Sequence, residues 1–186
     1  MSVPKIYEVL AEKYVIRSKW KKNKVRGEVP VATAPRQVIE MDTVNFGGLF
    51  AFTAVDTLSR EAEVLLCPAL NAQNGALFLR YSMRRRFNRF AEIVQTDGGS
   101  EFEAEFALQV WSYCRHHRIA RPYKKNEQAH IESFNRTLRK ECLGWNKYQT
   151  HQQGVMQQRV EAFLNRYHYH RPHLAFKPMR PPLDTN

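Results

Sequence analysis

The sequence is poor in cysteine and has no long apolar run. Its three cysteines, Cys67, Cys114 and Cys142, are an odd number without a CxxC pair, and this excludes a disulfide framework and a cysteine-based zinc site. We therefore expect reduced, buried thiols. Apolar stretches stop well short of a membrane span, and the mean hydropathy is −0.57. Because the first residues, MSVPKIYEVLAEK, lack the apolar segment of a signal peptide, we expect a cytoplasmic protein.

Positive charge is abundant. The chain has 29 Lys and Arg residues against 18 Asp and Glu residues, a net charge of +11, and a sequence pI near 9.8. With 43% hydrophobic residues and 12% aromatic residues, it is able to bury an ordinary core, so a chain disordered throughout is excluded. The charge favours a polyanionic partner, nucleic acid before an anionic membrane.

Three segments differ in composition. Residues 1–35 form a basic arm in which residues 17–26 place six cations around Trp20, and this arm is equally consistent with a solvated linker and with a DNA-backbone contact. A short helix over residues 6–15 is compatible with the pattern. Residues 36–147 are predicted to form the core domain, and residues 148–186 a C-terminal helix with a His- and Pro-rich tail packed on that core.

From residue 36 the pattern alternates between strands and helices. Strands are predicted over 38–45, 49–56, 62–67, 91–96 and 119–121, and helices over 71–90, 103–117, 127–141 and 151–167. Asn71 and Asn126 are the predicted N-caps of two of these helices. The result is an α/β fold with a five-stranded mixed sheet flanked by helices on both faces.

Three acids lie at the ends or edges of predicted elements. Asp42 lies within the first strand and is either solvent-facing or directed into a site. Asp97 ends a strand before two glycines, where it caps a turn or binds a ligand. Glu132 lies in a helix four residues before Arg136, so a surface ion pair and a metal ligand are both open readings.

Taken together, the three acids indicate more than each does alone. Carboxylates that converge at one edge of a mixed sheet repel one another unless cations neutralise them, and Mg²⁺ suits oxygen ligands. Two such ions about 3.5–4 Å apart are able to activate an attacking oxygen and stabilise a leaving oxygen in phosphoryl transfer. The positive charge and the acid cluster therefore point to the same substrate, DNA.

Four motifs in order resemble one family. Residues 41–43 (MDT), 95–102 (QTDGGSEF), 126–138 (NEQAHIESFNRTL) and 167–174 (YHYHRPHL) resemble the retroviral-integrase-like catalytic core of bacterial insertion-sequence DDE transposases. Glu132 follows Asp97 by 35 positions, close to the spacing usual in that family. The resemblance covers roughly residues 36–183.

The resemblance implies a ribonuclease-H-like fold in which Asp42, Asp97 and Glu132 bind metal and carry catalysis. It implies two Mg²⁺ or Mn²⁺ ions, hydrolytic cleavage at transposon ends, and attack of the freed 3′-hydroxyl on target DNA. The implied partners are DNA ends, target DNA and at least one further copy of the chain, without a membrane, in a bacterial cytoplasm at the nucleoid. The resemblance places Gln128 beside the DNA strand. Charge and helix face, rather than the motif, make Lys124, Lys125, Arg136, Arg139 and Lys140 the other candidate DNA contacts.

The sequence departs from the family pattern next to two acids. Gly98 stands where the family usually has Asn, and Ser133 stands where it often has Arg. Neither change removes a carboxylate, so the triad is retained. Two alternatives stay open: a ribonuclease-H-like nuclease without strand transfer, and a domesticated DNA-binding module without catalysis. Asp56 is predicted to be a turn acid rather than a fourth ligand.

Overall fold

The computed structural model describes residues 28–121 and 126–183. Most of the basic arm, including the short helix predicted over residues 6–15, lies outside the described residues, as do Lys124 and Lys125. None of the helices in these two ranges is both long enough and apolar enough to span a membrane.

One five-stranded mixed sheet forms the centre of the molecule. Its strands are β1 (Val38–Asn45), β2 (Phe50–Asp56), β3 (Ala62–Cys67), β4 (Ala91–Thr96) and β5 (Cys114–Ile119). The spatial order is β3-β2-β1-β4-β5. The first three strands form an antiparallel meander, whereas β4 and β5 continue the sheet parallel to β1. The mixed sheet predicted from the sequence is confirmed.

Helices cover both faces of the sheet. They are α1 (Ala72–Arg85), α2 (Ala104–Gln109), α3 (Ala129–Leu138) and α4 (Gln153–Tyr169), and α3 continues into a π-helical turn, Arg139–Leu143. The Asn71 side chain accepts a hydrogen bond from the Asn74 amide at the start of α1, as predicted for an N-cap.

Two hydrophobic cores lie on the two sides of the sheet. One joins Met41 and Phe52 to α1 and α2 through Phe78 and Phe106. The other packs β1, β2 and β3 against α3 and α4. Because successive strand residues face opposite sides, β1 contributes Met41 to the first core and directs Glu40 and Asp42 toward the side that α3 covers.

The helix predicted over residues 103–117 is wrong in its second half. Helix α2 ends at Gln109, and β5 then pairs in parallel with β4. His117 bonds to the Thr96 hydroxyl group (3.0 Å) and packs 5.6 Å from the Phe106 ring. Backbone pairing with β4 and this side-chain contact stabilise the strand, and they outweigh the helical spacing of apolar residues in the local sequence. The strand predicted over 119–121 accordingly ends at Ile119.

Two smaller predictions are also wrong. Asn126 has a positive φ of 68° and does not cap α3, which begins at Ala129 after Gln128. The helix predicted over residues 71–90 ends earlier, at Arg85, and Phe90 beyond it is 51% exposed. Cys67 and Cys114 are free and buried, as expected, and Cys142 is only partly buried.

Candidate active site

The parallel pairing of β1 and β4 determines where the first two acids lie. Ile39 is opposite Val94, and Glu40 is opposite Gln95. Continued two residues beyond this pairing, the same register would bring Asp97, which directly follows β4, level with Asp42. Neighbouring strands lie about 4.8 Å apart, so the two acids adjoin at the edge where parallel strands of α/β sheets collect ligands.

Helix α3 lies across this edge and is bonded to β1 at several points. The Asn135 amide donates to Asp42 Oδ2 (2.8 Å), and the Glu40 carboxylate accepts from the Ile131 backbone N–H (2.8 Å). Upstream, the Glu127 carboxylate is paired with Arg118 of β5 (2.8 Å). These bonds hold the start of α3 above the sheet, and Glu132 is exposed in its first turn.

The pKa of Asp42 depends on its burial and on the acids around it. Burial, with smaller contributions from the negative charges of Asp97, Glu101 and Glu132, raises the pKa of Asp42 to about 6, and the backbone N–H of Thr43 opposes this shift. Asp97 and Glu132 each therefore lie near enough to Asp42 for their charges to act on it. Among the described residues, however, there is no group of three or more His, Cys, Asp or Glu side chains that closes into a metal site.

Glu101 is a fourth acid at this site, and the sequence analysis missed it. It is 4% exposed in a 3₁₀ turn, Ser100–Phe102, that follows Asp97. Its Oε1 accepts a hydrogen bond from the Thr43 hydroxyl group (2.7 Å), so it is bonded to the strand that carries Asp42. The signal was present, because Glu101 belongs to the same QTDGGSEF motif as Asp97.

Glu40 was also missed. Burial raises the pKa of Glu40 to about 7, although its hydrogen bond from Ile131 opposes the shift. It lies two residues before Asp42, so strand alternation places both acids on one face. The spacing was visible in the sequence, but nothing there indicated that the side chain is buried beneath a helix.

The other predicted residues have more ordinary positions. Asp56 caps its turn by accepting from the Leu58 and Ser59 amides (2.9 and 3.0 Å) and pairs with Arg36 (3.1 Å), as predicted for a turn acid. Glu132 makes no ion pair with any described residue, Arg136 included. The described candidate DNA contacts divide by exposure: Arg136 and Lys140 are exposed, whereas Gln128 and Arg139 are partly buried.

A family model and solved structures match this architecture. Residues 113–181 match the integrase core domain family. The chain resembles an integrase catalytic core. It is 13% identical, with a TM-score of 0.67, to a chain of the simian T-cell lymphotropic virus intasome, solved in complex with PP2A regulatory subunit B56 gamma, covering 84% of this chain and 56% of that chain. It is 18% identical, with a TM-score of 0.59, to the catalytic core domain of BIV integrase, covering 79% of this chain and 91% of that core. The integrase-core fold, which is ribonuclease-H-like, is therefore confirmed.

The chain is also similar in sequence to a protein of a bacterial insertion element. The chain is 28% identical over 167 residues to the insertion element IS407 uncharacterized 31.7 kDa protein of Burkholderia multivorans. The match covers 84% of this chain and 57% of the relative, so this integrase-like core spans little more than half of that protein's length.

Proposed function

We propose that this integrase-like core is the catalytic part of a DNA transposase that cleaves transposon ends and joins their 3′-hydroxyl groups to target DNA. The observation that carries the proposal is the set of carboxylates around Asp42, at the junction of β1, β4 and α3. The match to an insertion-element protein and the positive net charge support DNA as the substrate.

The donor chemistry of the site fits a divalent cation. Asp42, Asp97 and Glu132 supply only oxygen ligands, and after burial, the negative charges of Asp97, Glu101 and Glu132 contribute to the raised pKa of Asp42. Hard ions such as Mg²⁺ and Mn²⁺ favour such ligands. Two bound ions would activate the attacking oxygen and stabilise the leaving oxygen at the scissile phosphate. Binding of a metal ion also requires the carboxylates to move closer together, because the described residues do not form a group of three metal ligands.

The neighbouring residues position these ligands. Asn135 fixes one oxygen of Asp42, and Glu40 anchors the α3 backbone one residue before Glu132. Glu101 holds the Thr43 side chain on the opposite face of β1. These bonds connect the strand, the 3₁₀ turn and the helix, and so limit how far the elements that carry the three ligands move before DNA arrives.

The experiment uses a branched DNA that already contains a strand-transfer joint, so that reversal of the joining reaction needs no recognition of transposon ends. With Mn²⁺, the wild-type chain is expected to reseal the target strand by transesterification: the free 3′-hydroxyl of the target attacks the phosphodiester at the joint, and the transposon-end strand leaves with its own 3′-hydroxyl. The rate of this reaction is expected to fall by at least about 100-fold in Asp97→Asn, because the substitution removes a metal ligand. Glu105→Gln, an exposed acid of α2, is the matched control and is expected to react like the wild type.

The same assay separates the alternatives. A nuclease of this fold would hydrolyse the branched DNA without rejoining the target strand. A non-catalytic module would bind the DNA and leave it intact in all variants. If Asp97→Asn reacted as fast as the wild type, the assignment of the three acids would be wrong.

A further inference from the structure

An exposed tryptophan lies on the helix end that follows the catalytic face of α3. Trp145 comes directly after Gly144, whose positive φ of 68° ends the π-helical turn, and it is 74% exposed. The Arg139 guanidinium lies over its ring at 4.9 Å and over the Phe46 ring at 4.5 Å. We call Phe46, Arg139 and Trp145 the Trp145 platform.

The platform lies beside the proposed catalytic site. Arg139 is seven residues after Glu132, which is two helical turns on the same face. It donates to the Asn45 carbonyl oxygen (3.2 Å) at the end of β1. Asn45 lies about 10 Å along the strand from Asp42, at about 3.3 Å per residue. A DNA strand seated at Asp42 would therefore reach Trp145 within a few nucleotides.

The charge around the platform is positive. Arg136, Lys140 and Lys147 are exposed along this stretch. The sole acid between residues 133 and 147 is Glu141, and its carboxylate is occupied by Arg166 and Arg171 (2.5 and 2.9 Å). An aromatic face among exposed cations is the surface that single-stranded nucleic acid recognises, through base stacking and phosphate contacts.

We propose that Trp145 stacks on an unpaired base of the DNA strand that enters the site, while the surrounding cations hold its phosphates. This inference rests on the proposed function, because it takes DNA as the substrate. The Arg139 guanidinium holds the indole in place before DNA binds, so less side-chain entropy is lost on stacking. A nucleobase then covers a large apolar ring that the fold leaves in water.

The test measures binding of a fluorescent single-stranded oligonucleotide of about 20 nucleotides, and of its duplex, in EDTA over a range of salt concentrations. Trp145→Ala is expected to weaken single-strand binding about 5- to 100-fold at every salt concentration, because stacking releases no counterions. Trp145→Phe is expected to keep most of the affinity, and the affinity for duplex is expected to change little. Trp111→Ala removes another exposed tryptophan (60%) and is expected to have no effect.

Each contrary result is distinguishable. Failure of the wild-type chain to bind either DNA would overturn the proposed function along with the stacking. Normal wild-type binding with an unchanged affinity in Trp145→Ala would overturn the stacking alone. So would an equal loss in Trp111→Ala, or a change of oligomeric state by sedimentation with unchanged DNA affinity. Thermal melting of each variant verifies that it is folded.

Discussion

At the scale of single residues, the site places carboxylates against one another. Burial and the charges of neighbouring acids raise the pKa of Asp42 to about 6. A carboxyl group whose folded pKa lies above its ordinary value of 3.8 destabilises the folded state once it ionises. This penalty is absent below the ordinary value and is complete above the raised value. The site therefore favours ligand affinity over stability.

The Asp42→Asn variant tests this penalty. In EDTA at about pH 7.5, the free energy of unfolding in urea is expected to rise by up to about 3 kcal/mol, because the substituted amide carries no charge. Near about pH 4, where Asp42 is protonated in the folded state, the gain is expected to vanish. A variant less stable than the wild type at the higher pH would contradict this account.

A divalent cation is expected to relieve the same repulsion. Addition of Mn²⁺ should raise the melting temperature of the wild-type chain, because a ligand that binds only the folded state stabilises it. The shift is expected to disappear in Asp97→Asn and to persist in Glu105→Gln. Differential scanning calorimetry with and without EDTA measures it. Equal shifts in all three proteins would indicate binding elsewhere.

At the scale of elements, one glycine sets how closely α1 approaches the 3₁₀ turn that carries Glu101. A Cβ atom on Gly75 would lie well inside contact distance of the Glu101 carbonyl oxygen, a backbone atom that cannot rotate away. Helix propensity alone favours alanine over glycine by about 1 kcal/mol. Close packing therefore outweighs propensity at this position.

The two helical glycines Gly75 and Gly154 give a matched pair. Gly75→Ala is expected to destabilise the chain by about 2 kcal/mol or more, because the helix and the turn must separate. Nothing lies within 4 Å of a Cβ atom on Gly154 in α4, so Gly154→Ala is expected to stabilise the chain by about 0.5–1 kcal/mol. Urea unfolding of both variants measures the contrast, and a stabilising Gly75→Ala would refute the packing argument.

Strand β3, at the edge of the sheet, is held by a histidine of α4. His168 is fully buried, and its Nε2 accepts a hydrogen bond from the Ala62 amide (3.0 Å). Burial, with a contribution from nearby Arg86, lowers the pKa of His168 to about 3. The neutral ring that accepts this bond is therefore the form compatible with the fold.

The pH dependence of stability follows from this histidine. The unfolded chain protonates His168 near its ordinary pKa of 6.5, whereas the folded chain resists protonation down to about 3, so stability is complete above 6.5 and falls as pH falls. Between about pH 7.5 and pH 5 the wild-type chain is expected to lose on the order of 2 kcal/mol through His168. His168→Gln should flatten the profile, whereas His151→Gln, at an exposed position, should not.

At the scale of the whole molecule, the net charge of +11 predicts a salt-dependent affinity for DNA. Arg136 and Lys140 are exposed beyond Glu132 on and just after α3, so each is expected to contact phosphate. Replacement of either by alanine should lower the slope of log affinity against log salt by about 1, for single-stranded DNA and duplex alike. An unchanged slope would remove that residue from the DNA interface.

Much of the fold was predictable because it depends on local pattern. Strands β1, β3 and β4 have the predicted bounds, since alternating or β-branched runs between turn residues specify strands directly. The three acids were also identifiable as candidate ligands, which stays a prediction, because their motifs and spacing are linear features of the chain. Sequence reasoning failed at residues 103–117, where pairing with a distant strand decides between helix and strand.

What the sequence by itself determined is the class of fold, the positive charge and the identity of Asp42, Asp97 and Glu132 as candidate ligands. The tertiary structure alone decided that Asp97 lies near enough to act on the charge of Asp42, and that Glu101 joins them as a buried neighbour. The physical reason is that strand register, burial and the approach of a helix arise from contacts between residues far apart in the chain. Charge and periodicity, by contrast, are properties of the residues themselves.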